Sequence, residues 1–329
     1  MLAARFYGIG QVRVEDVPKP VCGPGQALVK VAYAGICGSD LHIFRKGMFV
    51  TSIPETMGHE FAGVVEQIGE GVTELNPGDH VVGDPRVSCG VCRWCGEGSY
   101  NLCPTLGFIG EVMPGCFAEY LVLDEKKLLK IPAPVDLRRA ALVEPLAVAL
   151  HIAGQGRFSE VEHLGVVGAG PIGLLTVIAA KAMSVTRVTM IDISLDRLEL
   201  AGGLGAAALQ AFPAEQVDQP DVVVEAVGLE TTLAGALGWL RPQGRLVMAG
   251  LYEEKVIIDP NDIVVKELDI AGVNAYETGD LRRAIELIAG GALDVDHVVT
   301  HVLPLASAAA AFDLLTSENK KACKILLAP

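Results

Sequence analysis

The chain has 329 residues, 51% of them hydrophobic and 37 of them glycine, with a formal net charge of −14. That length suits two domains, the composition suits an α/β protein with many turns, and the acidity argues against nucleic acid as a partner. No basic stretch followed by an apolar core opens the sequence, and no apolar run could span a bilayer unbroken, so the expectation is a soluble cytoplasmic protein with no membrane association.

In chain order, residues 1–150 read as β-rich. Gln11–Val17, Ala27–Ala34 and Phe61–Ile68 are candidate strands. Asn76-Pro77-Gly78-Asp79 is a turn that feeds His80–Val82, and Phe117–Leu123 and Lys127–Ile131 follow. Many short strands with Gly and Pro turns predict a small barrel. From Leu142 to Ile152 the pattern is apolar and helical. Beyond His163 the pattern alternates strand and helix. Candidate strands are Leu164–Gly168, Val188–Asp192, Ala206–Leu209, Val222–Glu225, Arg245–Ala249 and Asp269–Val273, with a helix at Thr232–Leu240. This predicts a six-stranded, mostly parallel, doubly wound sheet. Asp280–Ala289 and Leu305–Leu315 read as helices and Lys324–Leu327 as a last strand. The tail is too short to fold alone, so it is expected to pack back onto the first domain.

Three groups of residues carry chemistry. The first is Gly168-Ala169-Gly170-Pro171-Ile172-Gly173, between a strand and a helix, with Asp192 at the end of the next strand. Gly168 permits a tight turn, Gly170 lets backbone N–H groups approach a pyrophosphate, and Gly173 lets helix and sheet pack closely. Asp192 can accept both ribose hydroxyls and would repel a 2′-phosphate, which favours NAD over NADP. The second group is Cys89, Cys92, Cys95 and Cys103, in a lobe at 85–104 rich in glycine. Four thiolates at this spacing can close around one tetrahedral Zn²⁺, which makes the site structural. An iron–sulfur cluster accepts the same ligands, whereas a disulfide lobe is disfavoured by the compartment. Cys22, Cys116 and Cys323 show no partners in the sequence. The third group is dispersed: Gly35-Ile36-Cys37-Gly38-Ser39-Asp40-Leu41-His42, Gly58-His59-Glu60 and Val143-Glu144-Pro145. A catalytic zinc takes about three protein ligands and keeps one position open. Cys37 and His59 supply two donors, and Glu60 or Glu144 a carboxylate.

Together these motifs make the chain resemble the zinc-dependent medium-chain dehydrogenases, over essentially its whole length. The resemblance rests on Gly35-x-Cys37-Gly38-Ser39-Asp40, Gly58-His59-Glu60, the four lobe cysteines, Glu144-Pro145 and the glycine turn. Glu144 stands where other alcohol dehydrogenases have a second cysteine ligand, which points to the polyol, butanediol and threonine branch. The family implies a GroES-like barrel at 1–150 and 275–329, a Rossmann domain at 151–274, two zinc ions per chain, and usually a homotetramer. It implies that Cys37, His59, Glu60 and Glu144 surround the reactive zinc. It further implies NAD contacts at Gly168, Gly170, Pro171, Ile172, Gly173, Asp192 and Arg197. The expected reaction moves hydride from a secondary alcohol, polyol, diol or L-threonine-like amino alcohol to NAD, with the metal as Lewis acid. Ser39 would take the hydroxyl proton and His42 would pass it to solvent. Two rival readings are a zinc-free quinone or enoyl reductase of the same fold and a non-catalytic NAD-binding redox sensor. The substrate pocket would lie on loops such as Lys46–Pro54 and Ser99–Met113, whose few charges disfavour a phosphorylated sugar. The Lys46–Pro54 loop looks short for the family.

Overall fold

Strand Gln26–Gly35 is the hub of the N-terminal half. It pairs antiparallel with Glu60–Ile68, with Tyr120–Asp124 and with the C-terminal strand Lys324–Ala328. In the computed structural model, which describes residues 1–213, 218–291, 293–317 and 321–329, the chain divides into two units. One comprises Met1–Glu144, Glu277–Ala292 and Val299–Pro329, and the other Pro145–Tyr276 and Leu293–Val298.

The first unit is built on a seven-stranded sheet in which the hub strand has Glu60–Ile68 on one side and Lys324–Ala328 on the other. Lys324–Ala328 in turn pairs parallel with Val299–Pro304. A three-stranded sheet sets Leu2–Gly8 between Gln11–Asp16 and Glu55–Thr56. Between them lies a core that includes Phe6, Phe61, Phe117 and Phe312, each 2% exposed or less. The expected strand Phe117–Leu123 begins three residues late. The amides of Phe117 and Glu119 bond instead to Met57 and Leu2 across the three-stranded sheet. Strand Leu2–Gly8 escaped the sequence reading, because LAARFYG carries no clean alternation.

The second unit holds a six-stranded sheet, wholly parallel. Its order is Ala207–Leu209, Arg187–Ile191, His163–Val167, Val222–Glu225, Arg245–Met248, Asp269–Gly272. His163–Val167 and Val222–Glu225 are buried throughout, as the inner strands of a sheet covered on both faces must be. The strand order reverses between these two, and in such sheets ligands bind beyond the carboxyl ends of the strands at that reversal. Gly165 is needed in the central strand, since a Cβ there would lie 2.5 Å from the ring of the buried Trp239. Among the described residues, no helix is long and apolar enough to cross a membrane.

Candidate active site and metal centres

Residues Gly35 and Glu60 face each other in the antiparallel pairing of two core strands. Cys37 follows the first of these residues and His59 precedes the second, so the sheet register brings both side chains to one place. Cys37 caps helix Gly38–Lys46, and its N–H donates to Asp40 Oδ2 at 2.9 Å. Ligand atoms of Cys37, His59 and Glu60 all lie within 4.8 Å of one another. Gly58 has φ of +91°, and a Cβ on it would strike the Phe117 ring. That glycine is what lets the chain turn His59 inward.

The surroundings ask for a cation. Asp40, His59 and Glu60 are 0%, 4% and 1% exposed. Asp40 Oδ1, His59 Nδ1, Glu60 Oε1 and Ser39 Oγ are buried atoms without a hydrogen-bond partner among the described residues. Burial opposes charge on His59, yet the Cys37 sulfur and the Asp40 carboxylate push its pKa well above the ordinary imidazole value. Lys324 is fully buried and pairs with Glu60 Oε2, while its Nζ also donates to the carbonyl of Ile36 at 3.0 Å. A Cβ on Gly35 would fall against that Glu60 oxygen, which explains the glycine before the cysteine motif. The donor set of one sulfur, one imidazole and one carboxylate fits a zinc that keeps an open position. Glu144 lies outside this trio, 7% exposed near the start of helix Val143–Gln155, and acts on His59 through its charge. Ser39 and His42 stand three apart on helix Gly38–Lys46 and therefore share a face.

Lys324, the buried partner of Glu60, was missed by the sequence reading. The signal was there: a lysine beginning the apolar run KILLA at a predicted strand must find a buried partner.

The cysteine lobe springs from a two-stranded hairpin that pairs Val87 with Gly107 and Arg86 with Phe108. The sulfurs of Cys89, Cys92, Cys95 and Cys103 lie within 4.8 Å of one another. Cys92 and Cys95 sulfurs are 3.5 Å apart, and those of Cys89 and Cys95 are 4.0 Å apart. A tetrahedron with Zn–S bonds of about 2.3 Å has sulfurs roughly 3.8 Å apart, so the lobe fits zinc. The N–H of Cys89 donates to Cys103 Sγ and that of Cys92 to Cys89 Sγ. Such bonds favour thiolates, and the Cys89 amide helps to draw the Cys103 thiol down to about 6. All eight cysteines are free of disulfides, and Cys116 is buried with its sulfur 3.6 Å from the Glu60 carbonyl.

In the second unit the glycine turn has the expected form. Gly168 has φ of +103°. A Cβ on Gly173 would collide with the Gly168 carbonyl, whereas nothing among the described residues lies within 4 Å of one on Gly170. Gly170 caps helix Pro171–Ala182, with Pro171 and Ile172 as its first two residues. Asp192 ends its strand beside the turn: Oδ2 accepts the Ala169 N–H at 2.7 Å and Oδ1 the Ser194 N–H at 2.8 Å. Arg197 stands in the first turn of helix Leu195–Gly203, which Ser194 caps. A second carboxylate escaped the sequence reading. Glu225, 0% exposed, accepts from Val227 N–H, Gly228 N–H, Thr232 Oγ1 and Tyr252 Oη.

Comparison with known proteins agrees with this architecture. Residues 23–133 match the alcohol dehydrogenase GroES-like domain, and residues 171–290 the zinc-binding dehydrogenase domain. D-xylulose reductase A of Aspergillus oryzae is 35% identical over 324 residues, spanning 93% of this chain and 90% of that protein. The crystal structure of 2R,3R-butanediol dehydrogenase from Bacillus subtilis superimposes with a TM-score of 0.92 at 32% identity, covering 100% of this chain and 99% of the other. A zinc-binding dehydrogenase of Sinorhizobium meliloti 1021, solved with NADP bound, gives a TM-score of 0.92 at 33% identity over 100% and 99% of the two chains. With its paired cysteine and mixed-donor groups and its glycine turn, the chain belongs to the zinc-dependent medium-chain dehydrogenases.

Proposed function

We propose that this enzyme oxidises a secondary hydroxyl of a small polyol or vicinal diol with NAD, and reduces the matching ketone in reverse. The observation that carries this reading is the trio of Cys37, His59 and Glu60, three unlike donors within 4.8 Å in a chain that also holds a closed four-cysteine group. A zinc ion held by the trio supplies Lewis acidity, which lowers the pKa of a hydroxyl brought to it. The side chains do the rest. Lys324 holds Glu60 by one oxygen and leaves Oε1 without a partner among the described residues. Asp40 Oδ1 lies 4.0 Å from His59 Nδ1 and steadies the imidazole. Glu144, buried and close enough for its charge to act on His59, would add a further carboxylate to the metal's surroundings. Ser39 Oγ, buried and without a partner among the described residues, is suited to accept the hydroxyl proton, and His42 on the same helix face carries it on.

For the cofactor, the open space at Gly170 and the helix behind it suit a pyrophosphate. Pro171, Ile172 and Arg197 line the same end of the sheet. Asp192 supports NAD over NADP through its charge, although the Sinorhizobium relative was solved with NADP. The relatives named for D-xylulose and 2,3-butanediol support a small polyhydroxy substrate. A homo-oligomer is part of the proposal: Asp269–Gly272 is an edge strand with Ile270 37% exposed, and Val264 and Val265 in the helix just before it are 69% and 81% exposed.

The test is a zinc-loaded preparation assayed for NADH formation with 2,3-butanediol, xylitol, sorbitol and L-threonine. Turnover with at least one, abolished by Cys37→Ser with the cysteine lobe still metallated, is the expected result. No turnover of any, or equal turnover in Cys37→Ser, overturns it.

A further inference from the structure

Glu111 is a buried acid with no part in the metal trio or in the proton route. It is 6% exposed and lies just after strand Gly107–Phe108. Several features hold this turn beside His59. The Phe108 ring centroid is 5.6 Å from that of His59. Gly110 has φ of +81°, and a Cβ on it would lie 2.6 Å from the Gly58 nitrogen, so the turn packs backbone against backbone on the residue before His59. The N–H groups of Cys116 and Phe117 then bond to the carbonyls of Gly58 and Met57 at 2.9 Å each.

The carboxyl lies close enough to His59 and Asp40 for their charges to act on it. Burial pushes the Glu111 carboxyl pKa up, His59 opposes that, and Asp40 adds to it. Among the described residues no lysine, arginine or histidine forms an ion pair with it, and Lys324 is committed to Glu60. A backbone hydrogen bond from Phe108 supports the carboxylate in part, and the rest of the burial cost is met by uptake of a proton or by a ligand that donates to it. The Glu111 carbonyl also accepts the Thr51 N–H at 3.1 Å, which ties residues 46–54 to the same turn.

We infer that Glu111 determines substrate charge: its carboxylate accepts a hydrogen bond from a hydroxyl or ammonium group away from the reacting carbon, and repels substrates that carry a carboxylate or phosphate. This rests on the polyol dehydrogenase reading of the site. A carboxylate in this place selects neutral or cationic substrates by repulsion of anions as much as by attraction. Glu111→Gln keeps the shape and removes the charge. Glu111→Asp keeps the charge.

The experiment compares D-xylulose with D-xylulose 5-phosphate as ketone substrates for NADH. The wild type favours the uncharged ketose, and Glu111→Gln lowers the kcat/KM ratio of the two at least about tenfold, mainly by admitting the phosphate. Glu111→Asp retains the discrimination, and the KM for NADH and the zinc content stay unchanged in both variants. Calorimetric titration of D-xylulose 5-phosphate into the enzyme–NADH complex reads the same point without turnover: binding strengthens in Glu111→Gln alone. A ratio and an affinity within twofold of wild type overturn the assignment. If neither ketose is turned over, the functional reading fails by itself, and the titration still decides the role of Glu111.

Discussion

Lys324 and Glu60 form an ion pair in which each side chain is only 1% exposed. Lys324 comes from the C-terminal strand and Glu60 from a strand far earlier in sequence, and both flank Gly35 on the strand between. Burial lowers the lysine's tendency to carry charge, but Glu60 and Cys37 more than offset it and raise its pKa. The pair therefore joins the last strand of the fold to the reactive site. Removing one partner of such a pair strands a buried charge, at a cost of about 3–5 kcal/mol. Lys324→Met should lower the unfolding midpoint strongly and cut turnover, and Lys324→Met combined with Glu60→Gln should recover much of the stability. Denaturant unfolding of the single and double variants checks this. A single variant as stable as wild type would show the pair to be dispensable.

In the cysteine lobe, four sulfurs leave no position for a substrate, so the metal there acts on stability. Cys95→Ser should reduce zinc from about two ions per chain to about one and should lower thermal stability more than kcat. Elemental analysis with calorimetry reads both. A variant that loses one zinc without losing stability would remove the structural role.

How much of this was legible beforehand follows from how local each signal is. The lobe cysteines span Cys89 to Cys103, and the glycine turn six residues, so each motif declares itself within one window. The parallel sheet was legible because its strands are apolar runs separated by helices. Lys324 and Glu111 were not, because their meaning depends on partners distant in sequence: Glu60 for the first, His59 and Asp40 for the second. Glu225 hid for a related reason. Its four partners lie two to 27 residues ahead, on loops whose course the sequence alone does not fix.

Asp192 offers a test of cofactor choice. Its two oxygens already accept the Ala169 and Ser194 amides, and this fixes the carboxylate at the end of its strand. The wild type should use NAD⁺ in preference to NADP⁺, and Asp192→Gly should narrow that preference about tenfold or more by admitting the 2′-phosphate. The measurement is kcat/KM for the two cofactors at fixed alcohol. Equal efficiency in the wild type would contradict the role given to Asp192.

A pH effect follows from Asp221. Its Oδ2 accepts the amides of Glu162 and His163, and its Oδ1 accepts Arg241 Nε at 2.7 Å. Burial raises its pKa, but these bonds outweigh burial and leave it below the usual value. A carboxyl whose folded pKa is depressed contributes stability above its unfolded pKa, near 4, and loses that contribution as pH falls through the folded value. Asp221→Asn should therefore be less stable than wild type at pH 7, and the gap should shrink below about pH 4. Urea unfolding of both proteins across this range is the check. A gap independent of pH would mean that the charge of Asp221 does not matter.

Glu225 and Tyr252 are joined by a hydrogen bond at the carboxyl edge of the parallel sheet. Glu225 ends its strand there, next to the strand that leads into the glycine turn. One oxygen gathers the amides of Val227 and Gly228 and the Thr232 hydroxyl, and the other takes the Tyr252 hydroxyl at 2.9 Å. A Cβ on Gly168 would lie 2.7 Å from Val227 Cγ2, and one on Gly250 would lie 2.6 Å from Glu225 Oε2. The carboxylate therefore ties the loop at Val227, which packs on the glycine turn, to the loop that carries Gly250 and Tyr252. Burial and the negative charge of Glu225 push the Tyr252 phenol far above its ordinary pKa, so at neutral pH it stays protonated and donates. Tyr252→Phe removes one of these bonds and leaves the ring in place. One hydrogen bond is worth about 0.5–1.5 kcal/mol, or roughly two- to tenfold in an equilibrium. If the bond serves to place the loop, that factor should appear in the dissociation constant for NADH, read by fluorescence titration. The KM for the alcohol and the zinc content should hold at wild-type values. A loss of thermal stability with unchanged NADH affinity would make the network a brace for the sheet alone.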